Sequence, residues 1–149
     1  MPKPPRPKHP PIRIACLCVH GVGESQLYEH GIIEDLGLKP VSETDNDSLY
    51  LLPDGRELLM SCRGISDKTP PGFPKTHKIT HKEIQGSHVI VSTVTDPQTL
   101  KAWAAPHLIE DINRAHAKGK VLNHRNYGEF YPRVLLSRIN RIFPPSVRK

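Results

Sequence analysis

The chain lacks both a long apolar run and a regular set of cysteines. Its longest apolar run, residues 14–19, is far shorter than the ~20 residues of a membrane-spanning helix and too short for the apolar core of a secretory signal. Three cysteines occur in 149 residues, whereas small secreted scaffolds contain more of them, in pairs. We therefore expect a soluble protein of the cytoplasm or another reducing intracellular compartment, without a membrane partner.

Acidic residues are absent from both ends of the chain. Residues 1–13 contain four basic residues and residues 133–149 contain five, while residues 14–63 contain nine acids against three basic residues. Basic ends on a near-neutral body are common in nucleic-acid binders, because each Lys or Arg beside a phosphate releases a counterion. The alternatives are that the basic ends increase solubility, or that they pair electrostatically with the acidic residues 14–63 of the same chain.

Proline divides the chain into regions. Six of the 16 prolines fall within residues 1–11, where they prevent a helix or a central strand and favour an extended conformation. A chain of this length is about the size of one domain. We predict an extended basic arm over residues 1–11, a single domain over residues 12–143 and a short basic tail over residues 144–149.

The order of predicted elements indicates an α+β fold. Residues 12–20 are apolar on both faces of a strand, which is typical of a central, covered position. Pro53-Asp54-Gly55 predicts the turn of a hairpin over residues 49–62, and residues 88–94 read as a buried strand. Helices are predicted at 25–36, at 96–119 with a kink or split at Pro106, and at 132–143. The order β-α-β-β-β-α-α predicts a small mixed sheet of about four strands with helices packed on one side.

Alternating thiols and an imidazole mark the first strand. Cys16, Cys18 and His20 share one face, and with Cys62 they are the candidate metal ligands of the chain. The outer pair on a straight strand lies about 13 Å apart, too far for easy binding of one ion. Free cysteine is also among the most buried residue types. We therefore predict core packing, with no metal and no cofactor.

A glycine turn follows that strand. His20-Gly21-Val22-Gly23 resembles the oxyanion-loop segment of α/β hydrolases, but the chain has no G-x-S-x-G. The dinucleotide and P-loop glycine patterns are also incomplete here. A structural turn is the prediction for this segment.

A cluster of His and Lys over residues 75–83, with His88 close behind, is a candidate enzymatic site. His, Lys and Glu together supply acid–base groups and phosphate contacts, so a small metal-independent phosphodiesterase or ribonuclease is one hypothesis. Its candidate catalytic residues are His77, His81 and His88. The alternative is a solvated basic loop, or a loop that contacts phosphate without catalysis.

The leading hypothesis is non-enzymatic nucleic-acid binding through the basic termini, in an RNA-binding, ribonucleoprotein or mobile-element type of protein. In this hypothesis the protein is a subunit of a larger assembly. A protein-binding inhibitor or adaptor is the third hypothesis. The predicted nucleic-acid contacts are Lys3, Arg6, Lys8, Arg13, Lys75, Lys78, Lys82, Arg133, Arg138, Arg141, Arg148 and Lys149.

Overall fold

The first strand, β1 (Ile12–Cys18), is buried along almost its whole length. Six of its seven residues are buried and only Arg13 is exposed. A strand with apolar residues at successive positions has to be covered on both faces. In the computed structural model, which describes residues 11–18, 24–43, 47–66, 78–92, 97–123 and 131–144, β1 accordingly lies in the interior of a sheet.

That sheet is mixed and has six strands within the described residues. After β1 the strands are β2 (Lys39–Glu43), β3 (Asp47–Leu51), β4 (Glu57–Gly64), β5 (Val89–Ser92) and β6 (Val121–Asn123), and their spatial order is β2-β3-β4-β1-β5-β6. The strands β4, β1, β5 and β6 run parallel. The strands β2, β3 and β4 are joined by antiparallel pairing. Parallel neighbours require crossover connections, so helices must separate these strands along the chain.

Five helices are described, and they cover both faces of the sheet. They are α1 (Glu24–Leu36), α2 (His81–Gly86), α3 (Pro97–Trp103), α4 (Pro106–Ala117) and α5 (Tyr131–Ile142). Helices α1 and α5 contribute Ile32, Leu135 and Ile139 to a core on one face, together with alternate residues of β1 such as Ile14. Helices α2, α3 and α4 pack on the opposite face, where the other β1 side chains, such as Leu17, point.

The predicted class, an α+β domain around a mixed sheet, is confirmed. The hairpin around Pro53–Gly55 and the split of the long helix at Pro106 are also present. The predicted number of strands was too low, since the described residues form six strands and not about four. The prediction that the helices pack on one side of the sheet was wrong, because they cover both faces. The missed strands β2 and β6 are short, and β2 contains Pro40 at an irregularity in its pairing.

The proposed arm and tail fall almost wholly outside the described residues. The structure describes Pro11 of the arm and Pro144 of the tail. Among the described residues no helix is long and apolar enough to cross a membrane.

A buried arginine ties the hairpin turn to the last helix. Arg56 is 7% exposed, and its guanidinium pairs with Asp54 at 2.7 Å within the turn. It also donates to the backbone oxygen of Phe143 at 2.6 Å and to Oδ1 of Asn140 at 2.8 Å. Because all three partners are hydrogen-bond acceptors, the charge is compensated where it is buried. This contact fixes the carboxyl end of α5 against the sheet.

Replacing this arginine tests the tie. Arg56→Met should lower the free energy of unfolding by about 2–3 kcal/mol, because hydrogen bonds from a charged donor are lost and their acceptors stay partly buried. Urea denaturation measures the change. Arg133→Met, at an exposed position of α5, is the matched control and should change stability by less than about 0.5 kcal/mol. Equal losses for the two variants would contradict the role assigned to Arg56.

Candidate functional site

A pocket lies at the amino ends of β5 and β6, with a volume of about 550 Å³. It is lined by residues 85–89, by residues 118–120 and by Arg138, Arg141 and Ile142 of α5. Among the described residues that line it are two lysines, two arginines and one histidine, and no acid. We call this cavity the basic pocket.

The turn between α4 and β6 places two lysines in the basic pocket. Gly119 has φ 75°, a left-handed conformation that glycine adopts without strain at the end of a helix. Its N–H donates to the carbonyl of His116, and the N–H of Lys120 donates to the carbonyl of Ala115. The chain therefore reverses directly between Lys118 and Lys120, which leaves both side chains beside the pocket.

Lys120 is held in place by the end of α2. Its Nζ donates to the carbonyl of Gln85 at 3.0 Å, where the carbonyl end of a helix favours a cation. Partial burial and the charge of Lys118 hold the pKa of Lys120 below its usual range. A lysine whose pKa is lowered by burial and by a neighbouring cation, in a pocket without an acid among its described lining residues, indicates a site suited to an anion.

Arg138 is fixed by the start of β6. Its Nη1 donates to the carbonyls of Gly119 and Val121, each at 3.0 Å. The neighbouring α5 residues Leu135 and Ile139 are fully buried against the sheet, which turns Arg138 and Arg141 towards the pocket. Hydrophobic burial of α5 thus sets the position of both arginines.

His88 lines the pocket in its neutral form. Its Nδ1 accepts the backbone N–H of Arg13 at 2.9 Å, so the ring proton resides on Nε2. The ring packs edge-on against Phe143 with centroids 4.9 Å apart. Burial, and then the charges of Lys120 and Arg13, hold the pKa of His88 below its usual value. Nε2–H is therefore a neutral donor.

A second, much smaller cleft adjoins the basic pocket and contains a His–Asp pair. Nδ1 of His81 lies 2.7 Å from Oδ1 of Asp111. The His81 side chain is half exposed, whereas that of Asp111 is 9% exposed. Arg114 lies 3.6 Å from the same carboxylate oxygen. Both cleft and pocket are lined by Gln85, Lys118 and Lys120.

An ion-pair cluster positions α2, which carries His81. Glu83 and Thr80 cap the helix reciprocally, and Glu83 also accepts a 2.7 Å hydrogen bond from Nε of Arg63. Arg63 pairs with Asp47 as well, at 2.8 Å. Burial alone would raise the pKa of Glu83, but the hydrogen bond from Arg63 keeps it below its usual range. The carboxylate therefore stays charged and holds α2 on the sheet.

The predicted nucleic-acid contacts divide into three groups. Arg138 and Arg141 line the basic pocket, and Arg13 bonds to His88 through its backbone. Lys78, Lys82 and Arg133 are described but do not line it. The remainder lie outside the described residues: Lys3, Arg6, Lys8, Lys75, Arg148 and Lys149.

The predicted histidines do not share one cleft. His81 begins α2 and pairs with Asp111, His88 follows α2 and lines the basic pocket, and His77 lies outside the described residues. Sequence reasoning did not select Lys118, Lys120 or Asp111 as site residues. The signal for the lysines was the Lys-Gly-Lys sequence at a helix end. Asp111 gave no signal, because its partner is 30 residues away.

The cysteines lie in the core. Cys16, Cys18 and Cys62 are buried and form no disulfide with one another, and Cys16 lies opposite Cys62 in the register of the neighbouring strand. His20 is outside the described part of the chain. Within that part, no three His, Cys, Asp or Glu side chains come together as a metal site would require.

Comparison with known proteins does not add to these observations. No protein-family model matches the chain, and neither the curated proteins nor the solved structures gave a significant match. The site is therefore interpreted from its own geometry and charge.

The neutral state of His88 predicts a pH dependence of stability. Unfolded histidine titrates near ~6.5, above the lowered pKa in the folded protein, so the unfolded state binds more protons below that pH. The stability from neutral His88 is complete above pH ~6.5 and is lost as pH falls through the folded-state pKa. Urea denaturation between pH 7.5 and 5 should show this loss.

His88→Asn should reduce that pH dependence, because its amide keeps an acceptor for the Arg13 N–H and does not titrate. The control is His107→Asn, at an exposed position of α4, which should retain the wild-type dependence. An unchanged slope in His88→Asn would show that other groups cause the loss.

Proposed function

We propose that this protein binds nucleic acid through its phosphate groups, with the basic pocket as the main contact. The observation that carries the proposal is the set of uncompensated charges in the pocket. Among the described residues, no carboxylate lies within salt-bridge distance of Lys118, Lys120, Arg138 or Arg141. Positive charges converging in a concave surface attract polyanions, and each phosphate contact releases a counterion.

The path of the chain supports the same proposal. Arg13 pairs with His88 at the pocket through two backbone contacts, so the basic arm that precedes it begins at this end of the sheet. Ile142, which lines the pocket, lies two residues before Pro144, the first residue of the predicted tail and the last described residue. The described chain therefore begins and ends near the basic pocket, and the segments beyond it contain further basic residues and no acid.

Salt dependence is the direct test. Binding of fluorescein-labelled 20-mer RNA and DNA, measured by anisotropy between 50 and 200 mM salt, should weaken linearly in log–log form. Lys118→Gln/Arg141→Gln should lower the slope by about 1.4 for single strands and about 1.8 for duplex. These two residues are chosen because Lys120 and Arg138 also bond to backbone carbonyls.

The control is Lys39→Gln on β2. This exposed residue lies on the opposite edge of the six-stranded sheet from β6, about 24 Å away at ~4.8 Å per strand. Its slope should equal that of the wild type. A flat salt dependence in the wild type, or equal slopes for the control and the double variant, would contradict the proposal.

The His81–Asp111 pair favours a second candidate function, metal-independent cleavage of RNA. With Nδ1–H held by Asp111, Nε2 of His81 accepts the proton of a ribose 2′-hydroxyl. The 2′-oxygen then forms a bond to the adjacent phosphorus, the bond from phosphorus to the 5′-oxygen breaks, and water protonates the leaving oxygen. Lys118 and Lys120, which line the same cleft, supply positive charge for the phosphate.

Cleavage of a labelled RNA in the presence of EDTA tests this activity. The wild type should produce a 2′,3′-cyclic phosphate, and a substrate with 2′-deoxyribose at the cleaved position should stay intact. His81→Ala should reduce the rate at least about 100-fold, within the usual contribution of a general base, while His107→Ala should retain it. Equal rates for wild type and His81→Ala would remove this candidate and leave the binding proposal intact.

A further inference from the structure

The basic pocket is a cavity of limited volume, whereas a site that follows the backbone of a nucleic-acid strand is an extended open groove. Its volume of about 550 Å³ falls within the ~300–1,000 Å³ of sites that enclose small ligands. Internal phosphates of a strand lie along a surface, whereas a cavity of this size has room for a group that enters it end-on. The geometry is therefore suited to a phosphate together with one nucleoside.

The charge of the pocket also matches a chain end better than an internal position. An internal phosphodiester carries one negative charge, whereas a terminal phosphomonoester carries about −1.5 to −2 near pH 7 and has three acceptor oxygens. Four cations line the pocket without an acid among the described lining residues. Arginine can also donate two parallel hydrogen bonds to such a group.

Much of the polar lining is held in position by hydrogen bonds to backbone groups of the fold. Two backbone carbonyls fix Arg138, the carbonyl of Gln85 fixes Lys120, and the backbone of Arg13 fixes the His88 ring. Groups that are positioned before binding lose less entropy when a ligand arrives. This arrangement is typical of a built site rather than of a solvated basic surface.

One apolar side chain at the pocket is exposed. Ile142 is 45% exposed and lines the cavity. Among the described residues only Val41 and Trp103 are other large apolar side chains with comparable exposure. An exposed isoleucine beside four cations provides an apolar contact for a ribose or a base next to a bound phosphate.

We propose that the basic pocket binds the terminal phosphomonoester of a nucleic-acid strand together with the terminal nucleoside. This inference rests on the proposed function, since it names the part of the nucleic acid that enters the site. The same chemistry is present in a free nucleoside monophosphate, so the experiment has to separate the two sources.

The test compares four 12-mer RNAs of one sequence, labelled internally: with a 5′-phosphate, with a 3′-phosphate, with both and with neither. One phosphorylated end should increase affinity about tenfold or more, the effect of one strong charge-assisted contact. Lys118→Gln/Arg141→Gln should remove most of this difference, and Lys39→Gln should preserve it. Neither residue of the double variant makes a hydrogen bond to the fold through its side chain in the described structure, so loss of folding is not expected; circular dichroism checks this.

The outcomes separate the inference from the function on which it rests. Salt-dependent binding that is equal for all four RNAs would overturn the chain-end site and leave nucleic-acid binding in place. No binding of any RNA or of the matching DNA would overturn both. Displacement of the phosphorylated RNA by an equal concentration of free nucleoside monophosphate would identify a free nucleotide as the ligand and overturn the strand-end assignment.

Discussion

The burial of β1 on both faces is the constraint on which the rest of this fold depends. Ile14 and Cys16 point into one core and Ala15 and Leu17 into the other. Neither set can be left in water, because burying these side chains is the main favourable term in folding. Helices must therefore cover both faces, and the strands on either side of β1 run parallel to it through crossover connections.

This arrangement gathers charge at one end of the sheet. Parallel strands begin at the same end of a sheet. Residues at the starts of these strands therefore become neighbours although they are far apart in sequence: Arg13 in β1, His88 just before β5 and Lys120 just before β6. Helix α5 packs on the same face of the sheet as α1 and adds Arg138 and Arg141 to this group of charges. A basic pocket is thus a consequence of parallel topology combined with basic residues placed just before the strands.

The buried arginines of this structure are paired with carboxylates, whereas the cations of the basic pocket are not paired with any described carboxylate. Arg56 and Arg63 are buried and are compensated by Asp54, and by Asp47 and Glu83. These ion pairs hold the hairpin turn, α5 and α2 in place, since an uncompensated buried charge would be costly. The cations of the basic pocket lack such partners among the described residues. In the proposed function, a bound phosphate supplies the compensation that the fold gives elsewhere.

The amino-acid sequence by itself determined the local elements whose signals are local: the buried strand β1, the hairpin at Pro53-Asp54-Gly55, the break at Pro106 and the amphipathic last helix with Arg138 and Arg141. It also indicated the basic ends. It did not determine that helices cover both faces, that β2 and β6 complete the sheet, or that His81 meets Asp111. Those features depend on contacts between residues distant in sequence, which no local pattern encodes. Only the tertiary structure decided that Lys118, Lys120 and His88 face one cavity, because strand order and direction bring them together.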